Sequence, residues 1–596
     1  MSADQSSMNQ LITDNIDIWT STVKTKSASG RGSSKKRELY GVKKLRELIL
    51  ELAVRGKLVP QDSNDEPASV LLERIAEEKA QLVKEKKIKK SKALPVVSKE
   101  EQSFVLPKGW TWERIGTFGV VGTGATPSRS KPEYWEPAEF NWVSSGETSE
   151  LFVSATKERI SGLAIKETNV SIYPKGTLIV AMYGQGKTRG QITELLESAG
   201  TNQACAAIQL VELSQDHKNY VKLFFRKAYL DLRSQAAGGA QPNLNVGKIS
   251  NTVIPVPPLL EQHRIVAKVD ELMTLCDQLE QQTEASIEAH QVLVTTLLDT
   301  LTNSVNAEEL MQNWQLVAEH FDTLFTTEES IDQLKQTILQ LAVMGKLVPQ
   351  DRNDEPAAKL LERIAEEKAQ LIKEKKIKKQ KALPPISDDE KPFELPNGWE
   401  WCKFEHISKN EKNALKAGPF GSALKKSMYV DYGYKIYGQE QVIAGDENIG
   451  DYFVNEEKYL SLESCKVQSG DILISLVGTI GKVLIVSPNA KPGIINPRLV
   501  KISLFNDICR AYIRIVLGSK LIQDELFDSS HGSTMNVLNL GLLKKLTLPL
   551  PPSDEQEIIV SKVKSILLLC DQLKARLKES QITQLHLTDA IVEQAV

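Results

Sequence analysis

The sequence predicts an α+β chain: two mixed, mainly β modules separated by paired long antiparallel helices and related by a pseudo-two-fold axis. Three observations predict it: a repeated helical segment, two heptad runs of matching layout, and two intervening stretches of short apolar runs punctuated by glycine. The repeat is the firmest of the three. Residues 52–95 return as residues 341–384, shifted by 289 positions without a gap and identical at 38 of 44. The register holds through Leu106-Pro107-Lys108-Gly109-Trp110-Thr111-Trp112, matched by Leu395-Pro396-Asn397-Gly398-Trp399-Glu400-Trp401, and then lapses. It returns at Pro257-Pro258-Leu259-Leu260-Glu261-Gln262 and Pro551-Pro552-Ser553-Asp554-Glu555-Gln556. A frame held constant around two divergent modules points to one task performed on two targets.

In chain order the pattern divides into an amino-terminal arm and helical region (1–105), a first module (106–257), a central helical spacer (258–395), a second module (396–551) and a closing helix (552–596). Residues 1–40 include the small, polar and basic stretch Ser27 to Arg37, which cannot bury a core and reads as a flexible arm. Helical spacing starts at Leu45, Leu48, Ile49, Leu52 and Ala53 and stops at Gly56 and Pro60. Asp65-Glu66-Pro67 then opens a second helix with a capping residue, an acidic first turn and a tolerated proline, followed by Leu71, Leu72, Ile75, Ala76, Lys79 and Leu82. That helix ends in a lysine run from Lys84 to Lys92, repeated from Lys373 to Lys381. Cations there suit the negative pole of the helix, and they can also reach phosphates.

After each double proline a heptad seam begins. Ile265, Val269, Leu272, Cys276 and Leu279 step by four and three, as do Ile559, Val563, Ile566, Cys570, Leu573 and Leu577. The seams weaken at Thr283 and Ser286, and at Ser580 and Gln584, and return at Leu293 and Leu297, and at Leu587 and Ile591. About 40 residues at 1.5 Å each give helices of roughly 60 Å, expected to pack antiparallel because duplicated copies pair about a two-fold axis. Within the modules, residues 176–184 and 470–478 each read as a strand running into a glycine turn.

Composition is that of a soluble protein, with 41% hydrophobic and 25% charged residues and no apolar run of membrane-spanning length. Met1 to Gln10 lacks signal-peptide character, and the cysteines (Cys205, Cys276, Cys402, Cys465, Cys509, Cys570) form no C-x-x-C pair, so a cytoplasmic, reduced protein without membrane association is expected. The net charge of −3 conceals an uneven distribution. Residues 106–257 hold 16 Lys+Arg against 13 Asp+Glu, and residues 396–551 hold 18 against 16, so the modules are positive and DNA is a permitted partner.

Catalytic motifs are few. Residues 181–188, Ala-Met-Tyr-Gly-Gln-Gly-Lys-Thr, fit a relaxed phosphate loop, but Arg189-Gly190-Gln191-Ile192-Thr193 is a poor start for the helix such a loop must open. Asp62 with Glu77 and Lys79 loosely resembles a nuclease set placed on a helix, where its members would not share a metal. The histidines have no metal-ligand spacing, and the Asn/Asp-Pro-Pro-aromatic motif of amino-methyltransferases is absent. No catalytic, cofactor or metal residue is expected.

The residues do resemble a known family, the specificity subunits of type I restriction-modification systems, over most of the chain. The resemblance rests on residues 52–61 and their repeat, the Leu-Pro-x-Gly-Trp module starts, Gly124-Ala125-Thr126-Pro127-Ser128-Arg129, Gly418-Pro419-Phe420-Gly421-Ser422 and the Pro-Pro-x-x-Glu-Gln helix openings. Residues 11–20 resemble the subgroup with a long amino-terminal extension, and Ala125 departs from the Gly-Gly-Thr that is common there. The resemblance implies a non-catalytic DNA-binding subunit with two target-recognition domains, each reading half of a split, asymmetric site on double-stranded DNA across a gap set by the helices. It places the chemistry in partners: two modification subunits that bind S-adenosylmethionine and methylate adenine, and two restriction subunits that use ATP and Mg. The helices and the repeated Gly-Lys-Leu-Val-Pro-Gln segments are expected to dock the modification subunits. With that function, polar and basic loop residues are the expected DNA contacts. These are Ser128, Arg129, Lys131, Gln185, Lys187, Thr188, Arg189, Asn243 and Asn245 in the first module. In the second they are Ser422, Lys425, Lys426, Gln439, Gln441, Lys482, Arg498, His531, Ser533, Thr534 and Asn536. A coiled-coil scaffold without DNA readout is the alternative, and it leaves the two divergent modules without a purpose.

Overall fold

A computed structural model describes residues 6–26, 36–90, 92–183, 189–235, 244–305, 307–377, 383–476, 482–528 and 540–596. The chain forms two compact units, residues 1–286 with 580–596 and residues 287–579. The long helices Leu259–Asn303 and Ser553–Ala595 divide between them, so that in each unit one long helix leaves and the other arrives, running in opposite senses.

In unit 1 the entry helix Tyr40–Val54 buries Leu45, Leu48, Ile49, Leu52 and Ala53, the predicted stripe. It joins both long helices by ion pairs: Arg46 to Asp277 at 2.7 Å and to Glu280 at 2.6 Å, and Lys44 to Asp589 at 3.4 Å. In unit 2 the corresponding helix Glu328–Val343 meets one long helix by ion pairs, Lys335 with Asp571 and Asp332 with Lys574 at 2.7 Å, and the other by a hydrogen bond from Gln333 to Thr295 Oγ1 at 3.2 Å. The seam residues Ile265, Val269, Leu272 and Cys276 are buried in unit 1, and Ile559, Val563 and Cys570 in unit 2. Where the seams return, the phase has moved. Val294 and Leu298 are buried instead of the expected Leu293, which is 50% exposed, and Leu587 is exposed while Thr588 is buried. A straight helix drifts by about 20° per heptad against a 3.5-residue repeat, enough over four heptads to pass the core to the neighbouring residue.

Of the stretch from Ser27 to Arg37 expected to be a flexible arm, residues 27–35 lie outside the described residues, and the described chain before it is ordered. Ser6–Asp14 and Ile16–Ser21 are helices, Val23–Lys26 pairs with Lys36–Leu39 as a hairpin, and Met8, Ile12 and Trp19 are buried. The signal was present in those apolar residues, which the polar stretch after them obscured. Asp65 is not the expected cap. The second helix, Ala68–Lys84, has Pro67 at its amino-terminal boundary, and Asp65 is buried against Arg264. The same helix separates the nuclease-like set: Lys79 donates to the carbonyls of Gly116, Thr117 and Gly119, while Asp62 accepts from the Asn64 amide.

Each module is closed by a two-stranded ribbon joining its entry to its exit: Thr111–Arg114 with Val253–Val256, and Glu400–Lys403 with Thr547–Leu550. Inside, the first module holds a five-stranded and a four-stranded sheet, the second two four-stranded sheets. The predicted strands are Leu178–Ala181, antiparallel to Cys205–Leu210, and Ile472–Ser475, antiparallel to Leu499–Ile502. Each module also pairs two strands in parallel, Phe140–Val143 with Ala199–Thr201 and Tyr434–Tyr437 with Gly493–Ile495. Residues 184–188 of the phosphate-loop-like stretch lie outside the described residues; the strands on either side of it are antiparallel, with Val180 opposite Ile192, and the described residues after it, from Arg189, lead into a strand and not a helix.

The Gly-Lys-Leu-Val-Pro-Gln segments work inside the frame. Gln61 donates to the carbonyl of Gly56 and to Glu261, whose other oxygen accepts from Trp110 Nε1 at 2.9 Å; Gln350, Gly345, Glu555 and Trp399 repeat the set. Lys57 donates to the carbonyl of Val596, and Lys346 to those of Thr302 and Ser304, so each lysine caps the carboxyl end of a long helix.

Candidate nucleic-acid interface

In each module a glycine sits where no side chain fits. A Cβ on Gly124 would lie 1.6 Å from the Thr201 carbonyl oxygen, and one on Gly418 would lie 1.9 Å from that of Asn496. These glycines let the chain leave a strand hard against the backbone and launch the loops that carry Ser128, Arg129 and Lys131 in one module, and Ser422, Lys425 and Lys426 in the other.

The first loop rests on indoles. Trp142 is buried and donates to the Ala125 carbonyl at 3.1 Å, and Trp135 packs edge-on against it and donates to the Ser128 carbonyl at 3.2 Å. The exposed Arg129 guanidinium lies 3.9 Å from the Trp135 ring centroid and grips Glu158 with both terminal nitrogens. Hydrogen bonding to Arg129 holds the Glu158 carboxyl below its ordinary range, and Glu158 raises the arginine in return. A planar cation over an aromatic face, held by a carboxylate, is ordered, and its remaining N–H groups can donate to a base edge or phosphate. Lys131 donates to the Tyr134 hydroxyl at 3.0 Å, and Ser128 shares a hydrogen bond with Ser130. Arg189 is half-buried beside Gly190, whose amide donates to the Ala181 carbonyl. Asn245 caps the helix Val246–Ser250, accepting from the Lys248 amide at 2.8 Å.

In the second module Lys425, Lys426 and Ser422 are exposed around the buried Leu424. Gln439 donates to Ser475 Oγ at 2.7 Å and accepts from the exposed Arg498 at 3.2 Å, so these three side chains form one polar chain at the strand ends. Lys482 is exposed. Gln441, expected as a contact, is corrected: it is 1% exposed, its oxygen accepts from the Gly438 amide and its nitrogen donates to the Ile449 carbonyl, so it shapes a turn and has no reach to a base. Gln185, Lys187, Thr188, Asn243, His531, Ser533, Thr534 and Asn536 lie outside the described residues.

The two sites share a scaffold that the sequence reading missed. Asn202 and Asn496 each follow the central parallel strand, donate their amide to the neighbouring strand (Val143 and Tyr437) and accept from the amide two residues on. That residue is Ala204 in the first module and Arg498 in the second. The same turn thus presents a methyl group in one place and a guanidinium in the other. Trp135, Trp142, Glu158, Ser475 and the two asparagines position these contacts, and only the equal offset of 294 between Asn202 and Asn496 could have found any of them in the sequence.

Among the described residues no group of His, Cys, Asp or Glu could hold a metal ion, and no helix is long and apolar enough to cross a membrane.

Comparison with known proteins places this geometry. A family profile described as "Type I restriction modification DNA specificity domain" matches residues 107–289 and 415–584. The chain is 41% identical to the type I restriction enzyme EcoAI specificity subunit of Escherichia coli, over 99% of this chain and all of that one, and 41% identical to the EcoEI specificity subunit of the same organism over the same shares. A solved HsdS subunit from Thermoanaerobacter tengcongensis is 18% identical, over 83% of this chain and 98% of that one, with a TM-score of 0.38. With two copies of the specificity domain and full-length relatives at this identity, the chain belongs to the family of type I restriction-modification specificity subunits.

Proposed function

We propose that this chain reads a bipartite, asymmetric site on double-stranded DNA, with residues 106–257 and 396–551 as target-recognition domains that each read one half. It delivers that choice to two modification subunits, which methylate with S-adenosylmethionine, and to two restriction subunits, which use ATP and Mg; bond-making belongs to these cytoplasmic partners. The observation that carries the reading is the shared turn with unlike side chains, Asn202 with Ala204 against Asn496 with Arg498. One backbone presenting different donors is what two readers of different sequences require, because base edges are told apart by the donors and acceptors brought to them.

For direct contact the exposed Arg129 and Arg498 and the half-buried Gln439 are assigned to base edges, and Ser128, Lys131, Ser422, Lys425, Lys426 and Lys482 to phosphates. Arg189 is assigned to the edge of the first site, and Asn245 to orienting the chain that enters it. Gln185, Lys187, Thr188, Asn243, His531, Ser533, Thr534 and Asn536 stay assigned to DNA by their sequence alone.

The test is selection of bound duplexes from a random pool by the complex of this chain with its modification subunits. The expected result is two constant half-sites separated by a constant number of unread base pairs. A single continuous site, or no enrichment, contradicts the reading.

A further inference from the structure

Unit 2 contains a basic pocket of about 430 Å³, where the repeated helix meets the second module, and in it six lysines face two glutamates. Its origin can be traced by comparing the two copies. From Ile115 to Gly124 the first module takes nine steps, while the second takes fourteen over the corresponding stretch from Phe404 to Gly418. The five extra residues bring Lys409 and Lys412 to the pocket, with Asn413 in the left-handed region at φ 68°. In unit 1 the helix lysine Lys79 is consumed by three carbonyl oxygens, those of Gly116, Thr117 and Gly119. Its counterpart Lys368 has lost that role. The Ser408 hydroxyl donates to the Glu405 carbonyl that corresponds to the Gly116 acceptor, and Lys368 lines the pocket instead.

The charges do not cancel. Glu405 pairs with Lys544 at 2.9 Å and Glu411 with Lys409 at 3.2 Å. Among the described residues no carboxylate pairs with Lys368, Lys375 or Lys412. Three ammonium groups gathered around a concave site repel one another unless an anion joins them. The location selects the anion. Leu415, the first residue of the strand Leu415–Ala417, lines the pocket, and that strand ends at Ala417, next to Gly418, where the loop of Ser422, Lys425 and Lys426 begins. Three strand residues span about 10 Å.

Resting on the DNA-reading function proposed above, we propose that this pocket binds a phosphate group of the DNA backbone flanking the half-site of the second module. The contact is one-sided, since unit 1 spends the equivalent lysine internally. It anchors the duplex without reading bases.

The experiment uses the complex with its modification subunits and measures duplex affinity against salt concentration for the wild type, for K368Q/K375Q/K412Q, and for K86Q as the unit 1 control. Equal melting temperatures establish that the variants fold. The expected result is a salt slope shallower by about 0.9 for each phosphate lost, an equal affinity loss on target and unrelated duplexes, and no change for K86Q. An unchanged slope in a triple variant whose wild-type parent still prefers the split target overturns the pocket assignment and leaves the reader function standing. A wild-type complex with no preference for a split target overturns the function itself. Titration with tripolyphosphate in the absence of DNA separates the sources: binding lost in the triple variant with the DNA slope intact assigns the pocket to a free polyphosphate and overturns the backbone assignment.

Discussion

The two halves of this chain agree at the buried keystone of their frame and differ at their exposed loops. Gln61, Glu261 and Trp110 make the same hydrogen bonds as Gln350, Glu555 and Trp399, and Tyr220 reaches the Pro255 carbonyl as Tyr512 reaches that of Pro549. At the loop ends the correspondence stops. Arg129 lies over Trp135 in the first module, Arg498 joins Gln439 and Ser475 in the second, and the turn that offers Arg498 offers Ala204 in the other copy. Constancy resides in contacts whose loss would leave buried donors unpaired, and variation in side chains that only a ligand would test.

The comparison breaks most severely at the tryptophans. Trp399→Ala removes a buried indole and is expected to cost about 3–5 kcal/mol in the stability of unit 2, and Trp110→Ala the same in unit 1, read by chemical denaturation of the purified complex. Markedly unequal losses would show that the halves do not share one keystone.

Next comes Glu555→Ala, which strands the Trp399 and Gln350 donors and should cost about 1–3 kcal/mol, while Glu555→Gln keeps an acceptor and costs less. Burial raises the Glu555 and Glu261 carboxyls above their ordinary value, with the hydrogen bonds from Gln350 and Trp399, and from Gln61 and Trp110, pulling back. The folded state therefore holds these protons more tightly than the unfolded state does. Their contribution is present at low pH and is lost as pH rises from the ordinary value through the raised one. E555Q should flatten that fall in a series of melts across the window, and an undiminished slope would assign it to other groups.

Comparable in size, but confined to DNA, are the arginine variants. Arg129→Ala should relax one half-site and Arg498→Ala the other, each by about 1–3 kcal/mol against the preferred base. Competition binding with substituted duplexes measures this, and a uniform loss across all duplexes would make the residue a phosphate contact. Smallest is Lys425→Gln, expected to lower affinity equally on all sequences and to make the salt slope shallower by about one.

Much of the frame was legible in the sequence, because burial writes a periodicity. Leu45, Leu48 and Ile49, and the seam from Ile265 to Cys276, stand where their spacing put them, and the duplication doubled every signal. The returning seam at Leu293 was misplaced by one residue because helix drift accumulates over a distance that short-range spacing does not register. The loops were legible only as lists of polar residues. Composition cannot distinguish Gln439, held at the surface by Ser475, from Gln441, folded under its own turn, since the difference lies in which backbone groups come close in space. Arg129 could be named in advance, but Trp135, Trp142 and Glu158, which aim it, come from a turn and two separate strands.

The measurement closest to the central claim is a genome-wide map of methylated adenines in cells expressing this chain with its modification subunits, compared with the R129A and R498A variants. The account predicts a split motif with a fixed gap, in which each variant degrades one half and leaves the other intact. A continuous motif, or both halves degrading together in either variant, would contradict it.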